Sequence, residues 1–320
     1  NVVRTRPQMP SGANRTPTIE EIEFYTPSLI DDIERTHPKL ILAVGGIPLS
    51  WALPGIGPIS VCRGRRFPVK IGKHKTWVYP VHHPSYILWI ENGMDQDVPG
   101  LEWKRAWMRD IQNAVSDVKT ITPPEVLSAN TLRKNVRVLT TLNEIVDFLR
   151  KNQDYQAALD IETNAKRPYG TDARILSVAI STELDETVAF PLQPKNPFFS
   201  PIEVETIFVE LGAFLCSGAG RVAYNSAFEM EWLCFFSGRE IARANWHDPM
   251  AKAFVLDSRK LGHGLDFMFR LEFGLPLKAL SQLNVKKMDE ATLDELLEYN
   301  ALDAKAAWML DQRLHDRVHK

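Results

Sequence analysis

Cysteine is scarce in this chain: Cys62, Cys216 and Cys234 are the three in 320 residues. They are odd in number and far apart, so they form no CxxC pair and no set from which a disulfide framework could be built. This spacing argues against a cysteine metal site and against a disulfide-stapled secreted domain. We expect each cysteine to be a buried small apolar residue in a reducing compartment.

Long apolar runs are also missing from the sequence. No stretch approaches the roughly 18 to 20 apolar residues that a membrane span needs, and the N-terminus carries no signal-peptide pattern. The hydrophobic fraction of 44% and the charged fraction of 24% are those of a globular protein. We therefore predict no membrane partner and a cytoplasmic location, in a bacterium or a phage-infected host cell.

A strong excess of charge of either sign is absent. The 38 Lys and Arg residues against 40 Asp and Glu residues give a net charge of -2, so no overall basic field indicates a nucleic-acid partner. An acidic metal site would offset a basic groove in this total. One basic stretch, residues 63–75, is equally consistent with a solvated loop and with phosphate contact. Its charges are Arg63, Arg65, Arg66, Lys70, Lys73 and Lys75.

The stretch of residues 157–164, Ala-Ala-Leu-Asp-Ile-Glu-Thr-Asn, places two carboxylates two residues apart in a sequence of strand type. Side chains at i and i+2 of a strand point to the same face, so Asp160 and Glu162 should project together. Leu159 and Ile161 should then face the core. Two adjacent acids repel each other unless a cation lies between them, and oxygen ligands of this kind suit Mg²⁺ or Mn²⁺.

Two further stretches supply acidic side chains. Residues 222–233 read as a short strand that runs into a helix, with Glu229 in the first helical turn. Residues 293–304 have the apolar spacing of a helix, on which Tyr299 and Asp303 lie at i and i+4 and share a face. The sequence therefore predicts a site that combines the acids of these stretches with Asp160 and Glu162, beside one phenol.

These motifs resemble those of the proofreading-type 3′–5′ exonucleases of the DEDD superfamily, in the subgroup with a tyrosine in its third motif. The first motif matches at residues 160–162, the second at Asn225-Ser226-Ala227-Phe228-Glu229 and the third at Tyr299-Asn300-Ala301-Leu302-Asp303. Residues 246–251 and 261–266 resemble the segment between the last two motifs. One departure is that the family usually has Asp where this chain has Glu229.

The resemblance implies a site with two Mg²⁺ or Mn²⁺ ions. Asp160 would bridge both ions, Glu162 and Asp303 would hold the ion that carries the attacking water, and Glu229 would reach the second. Tyr299 would orient that water, since its reference pKa near 10 makes it a poor base.

The resemblance also implies how substrate would be held. Asn225 and Phe228 would hold the terminal nucleotide, although Phe228 is equally a core residue by pattern. His263 and Lys260 would meet phosphate, or serve as a helix-start histidine and a surface charge. We expect single-stranded 3′ ends of DNA, or of RNA, as substrate, with a DNA polymerase or replisome as a further partner.

The N-terminal part alternates helices and strands. Residues 18–35 have helical spacing with Thr18 as N-cap, residues 39–46 read as a buried strand that ends in glycines, residues 77–81 as a further strand and residues 101–118 as a helix. The chain begins at a strand end with Asn1, so we expect a fragment or a processed product.

This part resembles the C-terminal two-thirds of a family 4-type uracil-DNA glycosylase. The matching elements are residues 1–4 with 6–7, residues 14–18 with 20–22, residues 42–45 and His83-Pro84-Ser85. The resemblance implies that Asn1 would read the uracil edge and that His83 would act on uracil O2. Thr5 and Tyr25 stand where that family has two Fe-S cysteines, so we predict no cluster. The family's first motif would lie upstream of Asn1, so we expect this domain to be inactive.

The fold class expected from both parts is α/β: a ribonuclease-H-like mixed-sheet exonuclease domain over residues 136–320, preceded by a partial α/β/α glycosylase-like domain over residues 1–120. Residues 121–135, with paired prolines, read as a linker. The leading hypothesis is a metal-dependent 3′–5′ exonuclease. Two alternatives stay open: a catalytically silent single-strand DNA-binding module, and a repair enzyme that excises uracil and then trims the resulting end.

Overall fold

The computed structural model describes residues 1–92, 100–259, 262–281, 283 and 288–319. The chain divides into two compact units, residues 1–126 with 270–274 and residues 127–269 with 275–320. Our domain boundaries at residues 120 and 136 remain a proposal beside this division. Within the described ranges, no helix is long and apolar enough to cross a membrane.

The first unit contains a small mixed sheet with helices. Strand β1 pairs parallel to β3, and β3 pairs antiparallel to β2, in the order β1-β3-β2. The elements in chain order are α1 Ile19–Thr36, β1 Leu40–Val44, α2 Gly46–Ala52, α3 Ile59–Cys62, β2 Phe67–Ile71, β3 His74–Val81, α4 Pro84–Glu91 and α5 Gly100–Thr120.

Three expectations were wrong: those for residues 63–75, for the burial of strand β1 and for the burial of the cysteines. Residues 63–75 are not a plain loop, because Phe67, Val69 and Ile71 are buried on β2, which turns through Gly72 at φ +57° into β3. Strand β1 is not buried throughout: it has one neighbour in the sheet, β3, and its Leu42 and Val44 are each 37% exposed. Of the cysteines Cys62 is buried, but Cys216 is exposed and Cys234 is half-buried.

Most charged side chains of the basic stretch, residues 63–75, either form ion pairs or are exposed to solvent. Arg63 pairs with Asp110 at 2.9 Å and Arg66 with Asp117 at 2.9 Å, both on α5. The other arginine, Arg65, is buried. The lysines of the stretch are exposed, as the solvated reading expects.

The second unit is built on a mixed sheet in the order β4-β7-β6-β5-β8-β9. Strands β5, β6 and β7 form the expected antiparallel meander, while β4/β7, β5/β8 and β8/β9 pair in parallel. The strands are β4 Val136–Val138, β5 Ala157–Thr163, β6 Ile175–Thr182, β7 Thr187–Pro191, β8 Arg221–Val222 and β9 Trp246–His247. The α/β fold class with mixed sheets is thereby confirmed.

Helices follow or cover these strands. They are α6 Ala129–Arg133, α7 Leu142–Lys151, α8 Pro201–Leu215, α9 Ala227–Ser237, α10 Pro249–Leu256, α11 Leu265–Phe273 and α12 Leu293–Val318. Three of these helices, α7, α8 and α12, begin with a capping box. In each box the side chain of the N-cap residue accepts a hydrogen bond from the backbone N–H of a glutamate three residues later, and the glutamate side chain accepts one from the backbone N–H of the N-cap residue. The N-cap residues are Thr141, Ser200 and Thr292. Thr18 does the same for α1, as the sequence predicted.

The two faces of the larger sheet bury different partners, and this sets the position of the acids. Leu159 and Ile161 of β5 enter the main core, together with residues of α7, α8 and α9. On the opposite face, Ala179 of β6 and Ala189 of β7 pack with Leu297, Ala301 and Ala304 of α12. Small side chains let α12 approach the sheet closely, on the face toward which Asp160 and Glu162 point.

Candidate metal-binding site

Two carboxylates of β5 and one of the distant helix α12 lie close together. Oxygen atoms of Asp160, Glu162 and Asp303 all lie within 4.8 Å of one another. Asp160 and Glu162 share the face of β5 that α12 covers, and Asp303 is supplied by α12 itself. Oxygen donors clustered at this spacing fit a divalent cation such as Mg²⁺ or Mn²⁺.

Tyr299 lies one helical turn before Asp303, and hydrogen bonding by its hydroxyl lowers the pKa of the Asp303 carboxyl. The i, i+4 spacing on α12 brings the two side chains to the same face. The phenol is partly buried, and burial together with the charge of Asp303 raises the pKa of Tyr299 above its ordinary value. A tyrosine that keeps its proton donates a hydrogen bond and does not act as a base.

The fourth predicted acid, Glu229, lies in the first turn of α9 and is 3% exposed. It stands outside the 4.8 Å group, but its charge raises the pKa values of Asp160 and Glu162. Within the part of the chain that is described, its Oε2 atom has no hydrogen-bond partner. A buried carboxylate oxygen without a partner is costly in a folded protein, so this atom is suited to a ligand that the chain itself does not supply.

The site concentrates acidic groups whose pKa values are raised. Burial raises the pKa of Asp160 well above its ordinary value, and the neighbouring charges of Glu162, Asp303 and Glu229 raise it further. Burial likewise raises the pKa of Glu229 to about 8, with a contribution from Asp248. Burial raises the pKa of Asp303 to about 7, although the bond from Tyr299 lowers it. Such groups hold protons at neutral pH unless a cation replaces them.

Two residues at the site had no role in the sequence interpretation. Asn300 donates from Nδ2 to Oδ2 of Asp160 at 2.7 Å. Asp248, the N-cap of α10, accepts backbone N–H bonds from Asn225 at 3.0 Å and from Ser226 at 3.1 Å. The Asp-Pro pair at residues 248–249 is a helix-start signal that could have identified Asp248 as a cap. Asn300 gives no such local signal.

The residues expected to hold nucleic acid differ in exposure. Asn225 is exposed and has φ +64°, while Phe228 packs against the main core. His263 is 5% exposed: its ring stacks on Phe254 and its Nε2 lies 2.7 Å from the carbonyl oxygen of Asp257. The phosphate role expected of His263 therefore does not fit its burial, and the role as a residue preceding α11 does. Lys260 lies outside the described residues.

The first unit holds the two glycosylase-like candidates. Asn1 is exposed and lines an apolar cavity of about 470 Å³. His83 is the N-cap of α4, where its Nδ1 accepts from the backbone N–H of Ser85 at 3.2 Å. Thr5 and Tyr25 hydrogen-bond each other through their hydroxyls at 3.0 Å. Two hydroxyl groups do not offer the thiolates that an Fe-S cluster requires, so these positions do not fit one.

Comparison with known families finds the uracil DNA glycosylase superfamily over residues 1–112. The type-4 uracil-DNA glycosylase of Thermotoga maritima is 35% identical over 120 residues, which are 37% of this chain and 55% of that protein. The glycosylase resemblance drawn from the N-terminal motifs is confirmed by this match.

Two other proteins are similar to longer parts of the chain. The DNA polymerase of Bacillus phage SP01 is 22% identical over 245 residues, which are 70% of this chain and 25% of that protein. The chain thus spans about half the length, or less, of the curated relatives that it matches. Among solved structures, Escherichia coli RNase D, an exoribonuclease, has a TM-score of 0.44 at 15% identity and covers 58% of this chain and 45% of its own.

Proposed function

We propose that residues 136–320 form a metal-dependent 3′–5′ exonuclease that releases 5′-nucleotides from the 3′ ends of DNA. The observation that carries the proposal is the cluster of Asp160, Glu162 and Asp303 oxygens within 4.8 Å of one another. The similarity to a phage DNA polymerase supports DNA over RNA as the substrate and a polymerase or replisome as the partner.

In this proposal the residues that would hold the metals are Asp160, Glu162, Asp303 and Glu229. Divalent ions held by these residues would stabilise the attacking and leaving oxygens of a phosphodiester displacement. The residues of the chain supply position and charge. Helix α12 holds Asp303 against β5, and Tyr299 keeps its proton, so its hydroxyl can donate a hydrogen bond at the site.

The proposal includes a role for the first unit that is not uracil excision. His83 already serves as the cap of α4. We assign to this unit a binding contribution toward the DNA duplex or strand. The nuclease and the glycosylase-like unit would then act on the same polymer.

The deciding experiment is degradation of a 5′-labelled single-stranded oligonucleotide with Mg²⁺, with Mn²⁺ and with chelator. The wild-type protein is compared with Asp303→Asn and with a matched control, Glu298→Gln. Glu298 is an exposed acid on the same helix and pairs with Arg133 at 2.6 Å. A ladder that shortens from the 3′ end, needs metal, vanishes in Asp303→Asn and persists in Glu298→Gln supports the proposal. An RNA oligonucleotide of the same sequence tests the choice of substrate.

Two outcomes would favour other functions. Binding of single strands without release of nucleotides would indicate the silent binding module, with Glu229 as the residue at fault. Alkali-labile abasic sites in uracil-containing DNA would indicate the bifunctional repair enzyme, which the family match over residues 1–112 favours as the second candidate.

A further inference from the structure

Asn300 makes a contact that joins the third motif to the first. Its Nδ2 atom donates to Oδ2 of Asp160 at 2.7 Å, and the Asn300 side chain is fully buried. We propose that Asn300 is a positioning residue that fixes the Asp160 carboxylate for metal binding. This inference rests on the proposed function of the site, but its main readout is metal binding rather than turnover.

The chemistry of an amide suits this role. An ionised carboxylate only accepts hydrogen bonds, so Asn300 must present its NH₂ group to Asp160. The bond restrains one oxygen of Asp160 and leaves the other for a cation. A lysine or arginine at this place would also orient the carboxylate, but its charge would compete with the metal. The amide orients the carboxylate without adding a positive charge.

The surroundings of Asp160 explain why such a restraint is needed. Oxygen atoms of Asp160, Glu162 and Asp303 all lie within 4.8 Å of one another, so the orientation of each carboxylate decides whether the three can hold one cation. The Asn300 bond at 2.7 Å fixes the orientation of Asp160.

The other end of the Asn300 amide makes this residue costly to bury. Its Oδ1 atom is buried and, among the described residues, has no hydrogen-bond partner. An apolar residue of similar size would avoid this unpaired group on a helix whose neighbouring Ala301 and Ala304 pack against the sheet. The bond to Asp160 is the feature that sets Asn300 apart from a buried asparagine that only packs.

The chain offers a matched control in Asn152. This asparagine is also fully buried, donates Nδ2 to the carbonyl oxygen of Phe148 at 2.9 Å and leaves its Oδ1 unpaired in the described structure. It caps the C-terminal end of α7 and belongs to none of the three motifs. A substitution there reproduces the loss of a buried amide without touching Asp160.

The test compares Asn300→Leu and Asn300→Ala with Asn152→Leu and the wild type. Calorimetric titration gives the Mn²⁺ dissociation constant of each protein, and oligonucleotide degradation is followed across Mn²⁺ concentrations. We expect the Asn300 variants to bind Mn²⁺ about 10- to 100-fold more weakly, as for other residues that orient a metal ligand. The KM for the oligonucleotide should stay unchanged and excess Mn²⁺ should restore turnover. Asn152→Leu should lower the Tm and leave the Mn²⁺ dissociation constant as it was.

The failures of the two proposals can be told apart. A folded Asn300 variant with wild-type Mn²⁺ affinity overturns the positioning role, even if the wild type degrades DNA. Wild-type protein that binds Mn²⁺ and degrades nothing overturns the nuclease, while weaker binding by the Asn300 variants still supports the positioning role. If Asn300→Leu does not fold, Asn300→Ala, which is smaller and compatible with a helix, decides the question.

Discussion

The carboxylate of Asp248 accepts hydrogen bonds from two consecutive backbone N–H groups, those of Asn225 at 3.0 Å and Ser226 at 3.1 Å. Asn225 has φ +64°, a conformation that few residues other than glycine adopt without support. These bonds hold the turn between β8 and α9, and Glu229 lies in the first turn of that helix. Asp248 thus determines where the second motif places its acid.

Replacing Asp248 with alanine should weaken both the fold and the site. The change removes the cap of α10, a bond to Met250 at 2.8 Å, and the two bonds that hold the Asn225 turn. We expect a loss of about 2 kcal/mol in the free energy of unfolding by urea and a marked loss of nuclease activity. The control is Ser200→Ala, which removes the cap of α8 and should cost about 1 kcal/mol with activity kept. Full activity in a destabilised Asp248→Ala protein would contradict the positioning role.

The stability of the metal-free protein should fall as pH rises. Burial raises the pKa of Asp303 to about 7 and that of Glu229 to about 8, whereas in the unfolded chain both return to ordinary values. Between pH 4 and pH 8 the folded state therefore holds more protons than the unfolded state. Stability falls with pH in that window, by up to about 1.4 kcal/mol per pH unit for each proton retained.

Thermal unfolding in chelator at pH 5, 6, 7 and 8 measures this slope directly. Mn²⁺ should raise the Tm, and should raise it more at pH 8 than at pH 5, because metal binding displaces the protons. Asp303→Asn removes one of the titrating groups and should flatten the profile. A Tm that does not change with pH in chelator would show that the acids are not protonated together in the folded state.

Neutralising one acid of the cluster should stabilise the metal-free protein while it abolishes activity. Glu162→Gln removes one of the repelling charges near Asp160 and Asp303 at almost constant shape. We expect the free energy of unfolding to rise by about 1 kcal/mol at pH 8 in chelator, as when a destabilising active-site group is removed from other enzymes. Metal-dependent degradation should be lost. Glu298→Gln, which breaks an exposed ion pair, should change the free energy of unfolding by no more than about 0.5 kcal/mol and should leave degradation unchanged. A destabilised Glu162→Gln protein would argue that this side chain has a structural role.

Tyr299→Phe should slow the reaction without removing the metal site. The variant keeps the ring in place and loses the hydroxyl that lowers the pKa of Asp303. We expect kcat to fall about 100-fold if the hydroxyl orients the attacking water, with Mn²⁺ affinity reduced only slightly because the carboxylates remain. Single-turnover rates at saturating Mn²⁺ provide the measurement. An unchanged rate would leave Tyr299 as a packing residue of α12.

The parts of the site that the sequence predicted correctly are those set by local periodicity. The shared face of Asp160 and Glu162 follows from the strand, and that of Tyr299 and Asp303 from the helix. The bond from Asn300 to Asp160 spans 140 residues of chain, and no local pattern indicates it.

The errors have the same cause. The burial of His263 depends on a stack with Phe254, and the strand at Phe67–Ile71 depends on its antiparallel pairing with β3. Phe235, an apolar residue of α9, is 54% exposed and meets the exposed Tyr169 edge to face, because it lies on the outer side of that helix. Each of these outcomes is decided by tertiary partners that periodicity does not specify.

The length of the side chain at position 229 distinguishes most clearly between an active exonuclease and a catalytically silent binding module. Glu229 is buried, and its Oε2 atom has no hydrogen-bond partner among the described residues. If the carboxylate binds metal, Glu229→Asp should retract the carboxylate by one methylene and so lower the activity, and it should cost about 1 kcal/mol of stability. Glu229→Gln should lower the activity further. Glu231→Asp is the control, since that acid pairs with Arg167 on another face of α9. The order Glu, Asp, Gln in decreasing activity supports a direct ligand. If the wild type is instead silent and Glu229→Asp gains activity, the chain is a binding module in which the longer side chain prevents the second metal from binding.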